Sequence, residues 1–257
     1  MTDIYQEIMD LKSRGEDAAL ATIVSSGGSA PRKEGAKMLV KADGSTIGTI
    51  GGGAVELIVT REALKAIQTG KAKRLEYSLA EGGEPGMICG GNVEVFVEPL
   101  LSTPSLYILG GGHIGLVLAN IGKIAGFKII VIDNRPEYAS AARFPEADQT
   151  IVAEYSEVFE KLAIDSSSYI VIITHGHKGD EASLAEALGT KAKYIGMIGS
   201  KKKNAAVFEH LVKKGFPREQ LEKVHAPIGL SIYAQTPEEI AISIMAEIIA
   251  VRRAPAA

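Results

Sequence analysis

Six residues near the middle of the chain have the types and spacing of a phosphate-binding loop. The run Gly110-Gly111-Gly112-His113-Ile114-Gly115 follows an apolar segment and satisfies the pattern G-x-G-x-x-G. In such a loop Gly110 permits the tight turn, Gly112 lets a pyrophosphate approach the backbone, and Gly115 lets the next helix pack on the preceding strand. Free N–H groups at the start of that helix then face the phosphates.

An acidic residue in the right place strengthens this interpretation. The next apolar run ends at Asp133, 18 residues after Gly115. A carboxylate there binds a ribose 2′-hydroxyl and repels a 2′-phosphate, which makes NAD(H) a candidate cofactor. Two alternatives stay open, because a fold does not determine a function. The domain either binds no dinucleotide or binds a different phosphate-bearing ligand.

Two further segments are expected at the same edge of the sheet, where the ligands of open parallel sheets lie. The first, residues 174–180, contains His175, His177 and Asp180. These residues form either a metal site or, as we predict, a helix start capped by Asp180 with two solvent-facing histidines. A third interpretation is that one histidine contacts a phosphate or acts as an acid or base. The second segment places Ser200 and a lysine run at a helix start, where they could bind an anion.

The first half of the chain contains three glycine-rich loops. They are Ser29–Gly35, which carries Arg32 and Lys33, then Gly48–Gly53, and finally the Cys89-Gly90-Gly91 segment. Glycine in a loop is entropically unfavourable, so these loops are expected where a backbone approaches a ligand. The triplet Gly51, Gly52 and Gly53 opens a helix and could hold an anion, and Glu56 follows one turn later. Cys89, the single thiol, is either a small core residue or a reactive group that binds a soft metal or carries sulfur.

The surrounding pattern predicts the elements that must position these residues. From Leu106 onward, apolar runs alternate with helical stretches, which indicates a Rossmann-like α/β domain with a doubly wound parallel sheet. The first part is typical of a smaller α+β domain with a hairpin at Asp43-Gly44. We therefore predict a glycine-rich domain over residues 1–103 and a Rossmann-like domain over residues 104–257. Thr236, Pro237 and Glu239 predict a capping box at the start of the last helix.

Composition excludes several classes of protein. The net charge is −3, which argues against a nucleic-acid partner. No run of 18 or more apolar residues is present, and the N-terminus lacks a basic-then-apolar leader, so we expect no membrane association and a cytoplasmic location. One cysteine in 257 residues permits no intrachain disulfide, which fits a reducing compartment.

Several motifs in one order resemble the XdhC/CoxI family, the xanthine dehydrogenase accessory proteins. The resemblance extends from about Ala18 to Arg252. The motifs of the first half are Gly28–Met38, Gly48–Glu56 and Cys89–Gly91, and those of the second half are Gly110–Gly115, Thr174–His177, Tyr194–Ser200, His225–Leu230 and Thr236–Ala241.

This resemblance implies a chaperone that binds the molybdenum cofactor, a molybdopterin, assists its sulfuration and inserts it into a xanthine dehydrogenase-type molybdoenzyme. It also implies a cysteine desulfurase partner, a homodimer, and Cys89 as the residue in contact with the cofactor. One cysteine excludes the dehydrogenase itself, because an iron–sulfur cluster needs four. Two alternatives remain: an NAD-dependent oxidoreductase that uses His113, His175 or His177 as acid or base, and a nucleotide-sensing partner protein.

Overall fold

The chain divides into two compact units in a computed structural model. The structure describes residues 3–28, 32–78 and 92–254, without the side chains of Ser78, His177 and Lys178. Met1–Ser102 belong to the first unit and Thr103–Ala254 form the second. Cys89 and Gly90, two of the predicted cofactor ligands, lie outside the described residues, as do Ser29, Ala30 and Pro31 of the first glycine loop.

The described part of unit 1 is an antiparallel sheet with two helices. Its elements are α1 (Ile4–Arg14), β1 (Ala18–Gly27), β2 (Lys37–Lys41), β3 (Thr46–Gly48), α2 (Gly53–Thr69), β4 (Lys73–Ser78) and β5 (Asn92–Leu100). The strand order is β3-β2-β1-β5-β4, and every neighbouring pair is antiparallel. β5 includes Pro99 and ends at Leu100, three residues before the boundary predicted at residue 103.

The side chains on the two faces of the unit 1 sheet pack against its two helices. Met38 and Val40 are buried in the same cluster as Val59 of α2, whereas Leu39 between them packs against Leu11 of α1. Successive side chains of a strand point to opposite faces, so one short strand serves two cores. Each fully buried side chain of this kind contributes about 1.5–3 kcal/mol to stability.

Unit 2 is a five-stranded parallel sheet with helices on both faces. Its elements are β6 (Ser105–Leu109), α3 (His113–Ile124), β7 (Lys128–Asp133), β8 (Gln149–Val152), β9 (Ser168–Ile172), α4 (His177–Ala187), β10 (Tyr194–Met197), α5 (Lys201–Lys213), α6 (Arg218–Leu221) and α7 (Pro237–Arg253). The strand order is β10-β9-β6-β7-β8, and all four pairings are parallel. The predicted Rossmann-like sheet beside an α+β unit is confirmed.

Four strands of unit 2 (β6, β7, β9 and β10) are buried on both faces, whereas β8 at the edge of the sheet is partly exposed. Leu106 and Ile108 pack in one cluster with α3 and α7, and Tyr107 and Leu109 pack in the other with α4 and α5. This explains why the strands appear in the sequence as continuous apolar runs without alternation.

The connections around β8 differ from the prediction of a helix in every crossover. After β7 the chain forms only a single 3-10 turn, Pro136–Tyr138, and after β8 only Phe159–Lys161. Pro136 and Pro145 interrupt the first connection, and proline has no N–H group to donate within a helix. The chain here instead folds back against the glycine loop, where Arg143 donates a hydrogen bond to the Gly111 carbonyl oxygen.

The last helix begins as its sequence predicts. The Thr236 side chain accepts a hydrogen bond from the Glu239 N–H group, and the Glu239 carboxylate accepts one from the Thr236 N–H group, so the capping box is complete. Among the described residues, no helix combines the length and apolar character that crossing a membrane requires.

Candidate functional site

A cleft of about 380 Å³ lies at the carboxyl edge of the parallel sheet in unit 2. Its lining includes residues 112–115 at the start of α3, Arg135 and Tyr138 after β7, and Thr174 and His175 after β9. β7 and β8 lie on one side of β6, and β9 and β10 lie on the other. The strand order therefore reverses its direction beside β6. Such a switch point is where open α/β sheets bind their ligands. We call this feature the carboxyl-edge cleft.

The three glycines of the G-x-G-x-x-G motif play different structural roles. Gly110 has a φ of +123°, and a Cβ atom there would lie 2.2 Å from the Ile173 carbonyl oxygen. A Cβ atom on Gly115 would lie 2.2 Å from the Gly110 carbonyl oxygen. Gly112 is different, because nothing lies within 4 Å of its Cβ position. Gly110 and Gly115 are therefore required by packing, whereas Gly112 leaves open space beside the cleft that it lines.

The start of α3 supplies hydrogen-bond donors to this cleft. Gly112 occupies the N-cap position and has no side chain to satisfy the first N–H groups of the helix. The positive end of the helix dipole and these N–H groups together favour an anion. His113, the first residue of α3, is exposed and lines the cleft.

Asp133 is buried and does not line the carboxyl-edge cleft. Its side chain is 0% exposed, and its two oxygens accept four hydrogen bonds: one from the Gly111 N–H group, one from the Arg135 N–H group, and two from the Arg135 guanidinium. Burial opposes ionisation of this carboxyl group, but these hydrogen bonds outweigh burial and hold its pKa below the usual value. A carboxylate has about four acceptor positions, so none is left for a ribose hydroxyl. This arrangement differs from the predicted ribose contact.

The segment after β7 covers the outer side of the glycine loop. The Arg143 Nε–H group donates to the Gly111 carbonyl oxygen at 2.9 Å, and a Cβ atom on Gly111 would lie 1.8 Å from the Tyr138 carbonyl oxygen. The Arg135 guanidinium lies 3.7 Å above the Tyr138 ring, and the Arg143 guanidinium lies 5.1 Å from the same ring. Sequence reasoning missed Arg135 and Tyr138. The signal that could have found Arg135 is a cation two residues after the acid that ends β7.

On the other side of the cleft, Asp180 organises the turn after β9. Its side chain is 0% exposed and accepts hydrogen bonds from the Thr174 N–H group at 3.1 Å and the Thr174 hydroxyl group at 2.7 Å. Its second oxygen pairs with the Lys203 ammonium at 2.6 Å. Asp180 therefore braces the Thr174 turn and links it to α5, instead of capping the start of α4 as predicted. His175 is exposed in the cleft.

The described residues, which leave out the His177 side chain, show other contacts for the predicted metal and anion positions. Among the described residues, no group of three or more His, Cys, Asp or Glu side chains could hold a metal ion. Ser200 is the N-cap of α5, and its hydroxyl oxygen accepts from the Lys203 N–H group at 3.2 Å. Ser200 lines a separate groove of about 610 Å³ between α4 and α5 and does not line the carboxyl-edge cleft.

In unit 1, the glycine triplet is already bound by a carboxylate of the same unit. One oxygen of Glu56 accepts from the Thr49 hydroxyl group at 2.6 Å, the Ile50 N–H group at 3.0 Å and the Gly52 N–H group at 2.9 Å. Burial opposes ionisation of Glu56, but these three bonds outweigh burial and lower its pKa. The carboxylate thus occupies the place predicted for an external anion. Gly53 is exposed, Gly51 is half-buried, and the predicted ligand Arg32 is exposed.

A second cleft in unit 1, of about 590 Å³, was not predicted from the sequence. It is lined by Ser25, Ser26 and Gly27 at the end of β1, and by Glu76 and Glu94 on β4 and β5. Glu76 and Glu94 are directly paired across the strands, and Glu94 also forms an ion pair with Arg74. Like charges directly opposite each other on paired strands are unfavourable, and the Arg74 ion pair offsets part of this repulsion. Asn92, the first residue of β5, lines this cleft. In the sequence, Asn92 follows the Cys89–Gly91 motif directly.

The fold and the carboxyl-edge cleft together define a two-unit protein whose second unit is a Rossmann-type domain with a glycine-rich loop after its first strand. Residues 106–248 match the family model of the XdhC Rossmann domain, and residues 11–78 match that of the XdhC and CoxI family. The chain belongs to the XdhC and CoxI family, as its motifs predict.

Three curated relatives and one solved structure resemble the chain over almost its whole length. The chain is 35% identical over 253 residues to the uncharacterized protein YqeB of Escherichia coli K12, and it spans 46% of that protein. It is 28% identical to a protein of Bacillus subtilis 168 that is named as a probable xanthine dehydrogenase subunit, with 93% of this chain and 94% of that protein aligned. It is 26% identical to the molybdenum cofactor insertion chaperone PaoD of Escherichia coli K12, with 98% and 90% aligned. A xanthine dehydrogenase structure from Bacillus halodurans aligns with a TM-score of 0.54 at 25% identity, over 98% of this chain and 96% of that one.

Proposed function

We propose that this protein is an accessory factor that binds the molybdenum cofactor and delivers it to a xanthine dehydrogenase-type molybdoenzyme. The observation that carries the proposal is the alignment of both units with PaoD, a molybdenum cofactor insertion chaperone, over 98% of this chain. Relatives named for xanthine dehydrogenase support the same class of client enzyme.

The cofactor has chemical features that the chain is suited to hold. Molybdopterin carries a phosphate and a soft dithiolene. The carboxyl-edge cleft has uncapped N–H groups and no carboxylate of a described residue in its lining, which favours a phosphate-bearing ligand. The thiol of Cys89 is the group of this chain that suits a soft metal or a transferable sulfur. Bound cofactor would supply the molybdenum, and this chain would supply binding and protection.

Assistance in sulfuration by a cysteine desulfurase, which the family resemblance implies, is part of the proposal, and Cys89, the only thiol of the chain, is the candidate group for it. A homodimer and a cytoplasmic location stay predictions from the sequence. The alternative of an NAD-dependent oxidoreductase has less support, because Asp133 offers no free acceptor to the ribose 2′-hydroxyl of NAD(H).

The test is co-purification of the full chain from molybdate-fed cells, followed by pterin fluorescence and molybdenum analysis. We expect pterin and molybdenum with the wild type, and a loss of at least ten-fold with Cys89→Ala. Ser13→Ala, an exposed hydroxyl on α1, is the matched control and should retain both. Absence of pterin from the wild type, or equal loading of Cys89→Ala and wild type, would count against the proposed role of the thiol.

A further inference from the structure

The residue that faces the ligand at the end of β7 is a cation and not the expected acid. Asp133 is fully buried, and all four hydrogen bonds that it accepts come from Gly111 and Arg135. The Arg135 side chain is 29% exposed and lines the carboxyl-edge cleft, whereas Asp133 does not. A ligand that reaches this corner therefore meets a guanidinium.

The guanidinium retains a donor for such a ligand. Arg135 binds Asp133 through Nε and Nη2, and among the described residues Nη1 donates to no partner. Its plane is held 3.7 Å above the Tyr138 ring, so the group is positioned before a ligand arrives. Arginine presents a planar set of donors that matches phosphate geometry.

The charge around this corner is favourable for a second anion. Arg135 and Arg143 both approach Tyr138, and the buried carboxylate beside them is that of Asp133. The described lining of the cleft contains Arg135, His113 and His175 but no carboxylate. Glu154, an exposed acid in contact with this segment, accepts from the Asn134 amide at 3.4 Å and lies outside the lining.

We propose that Arg135 contacts a phosphate monoester of the ligand, separate from the phosphate at the start of α3, so that the cleft takes a ribonucleotide with a pyrophosphate and a 2′-phosphate. This inference goes beyond the proposed function: both rest on a phosphate-binding role of the cleft, but the ligand class named here is a nucleotide and not a pterin. It reverses the preference for a free 2′-hydroxyl that the position of Asp133 predicts from the sequence. The burial of Asp133 beneath Arg135 is the physical reason for the reversal.

The experiment compares two probes that differ by one phosphate. ADP-ribose and 2′-phospho-ADP-ribose are titrated into the full chain by calorimetry. For the wild type we expect at least ten-fold tighter binding of 2′-phospho-ADP-ribose, and we expect this preference to shrink as salt is raised. Equal binding of the two probes, tighter binding of ADP-ribose, or binding of neither at millimolar concentration would overturn the proposal.

Variants assign the preference to the side chain. Arg135→Gln should bind the two probes equally, Arg135→Lys should keep part of the preference, and Arg218→Gln, a surface arginine paired with Glu209, should behave as wild type. A preference that survives in folded Arg135→Gln would also overturn the proposal. If that variant does not fold, the wild-type salt series and Arg135→Lys decide. Neither probe contains a pterin, so failure here leaves the pterin test of the proposed function unaffected.

Discussion

Removal of the Glu56 carboxylate should loosen the glycine loop of unit 1. One oxygen of this side chain accepts hydrogen bonds from Thr49, Ile50 and Gly52. At about 1 kcal/mol for each bond, Glu56→Ala should lower the free energy of unfolding by about 2–4 kcal/mol. Glu56→Gln keeps an acceptor oxygen but loses the charge, and its effect should be about 1 kcal/mol because charge-assisted bonds are roughly twice as strong.

The pH dependence of this effect follows from the lowered pKa of Glu56. The carboxyl group has a lower pKa in the folded state than in the unfolded chain, so its contribution is complete above the unfolded value near pH 4. That contribution is lost as the pH falls further, through the folded pKa. The difference in stability between wild type and Glu56→Gln should therefore be constant near pH 7 and shrink below about pH 4.

Two measurements check this prediction. Urea unfolding gives the change in stability, and amide hydrogen exchange at Ile50 and Gly52 reports directly on the N–H groups that Glu56 binds. Glu62→Gln is the matched control, because Glu62 lies on the same helix and pairs with Lys65 and Lys73, whose side chains are more than half exposed. Ion pairs with a solvated lysine of this kind contribute about 0–1 kcal/mol, although the Glu62 side chain itself is 13% exposed. The reasoning is refuted if Glu56→Ala is no more destabilising than Glu62→Gln and both amides keep their protection.

The remaining predictions concern backbone positions in unit 2. Gly112→Ala should fold with a stability within about 1 kcal/mol of wild type, because the φ of Gly112 is −67° and nothing lies near its Cβ position. This variant should nevertheless bind 2′-phospho-ADP-ribose at least ten-fold more weakly. Gly115→Ala should fail to fold stably, because its Cβ atom would lie 2.2 Å from a carbonyl oxygen. Circular dichroism and calorimetry distinguish them, and unchanged ligand affinity in Gly112→Ala would contradict the first. Tyr233 is 92% exposed and has a φ of +59°, a left-handed conformation that costs a non-glycine residue about 1–2 kcal/mol. Tyr233→Gly should therefore raise the stability measured by urea unfolding by about 0.5–1 kcal/mol. A lower urea midpoint would contradict this.

Local signals in the sequence were sufficient for most of the fold. The apolar runs of unit 2 predict a parallel sheet, and five parallel strands form. Four of them are apolar throughout because both of their faces are buried, whereas β8 is a partly exposed edge strand. The capping box at Thr236 and the hairpin at Asp43-Gly44 depend on a few neighbouring residues and form as predicted. The helices predicted in the crossovers around β8 were wrong, because the conformation there depends on packing against a distant loop.

The features of the candidate site also separate into those set by local sequence and those set by tertiary packing. By itself the sequence determined the family, the Rossmann-type sheet, the glycine loop and the acid at the end of β7, since these depend on residue type and spacing along the chain. Only the tertiary structure decided that Asp133 is buried under Arg135, that Glu56 binds its own glycine loop and that Asp180 braces Thr174. A carboxylate in a sequence has no known partner. Which N–H group or cation neutralises it depends on how the folded chain brings residues together, and that partner determines whether the carboxylate meets a ligand or supports the residue that does.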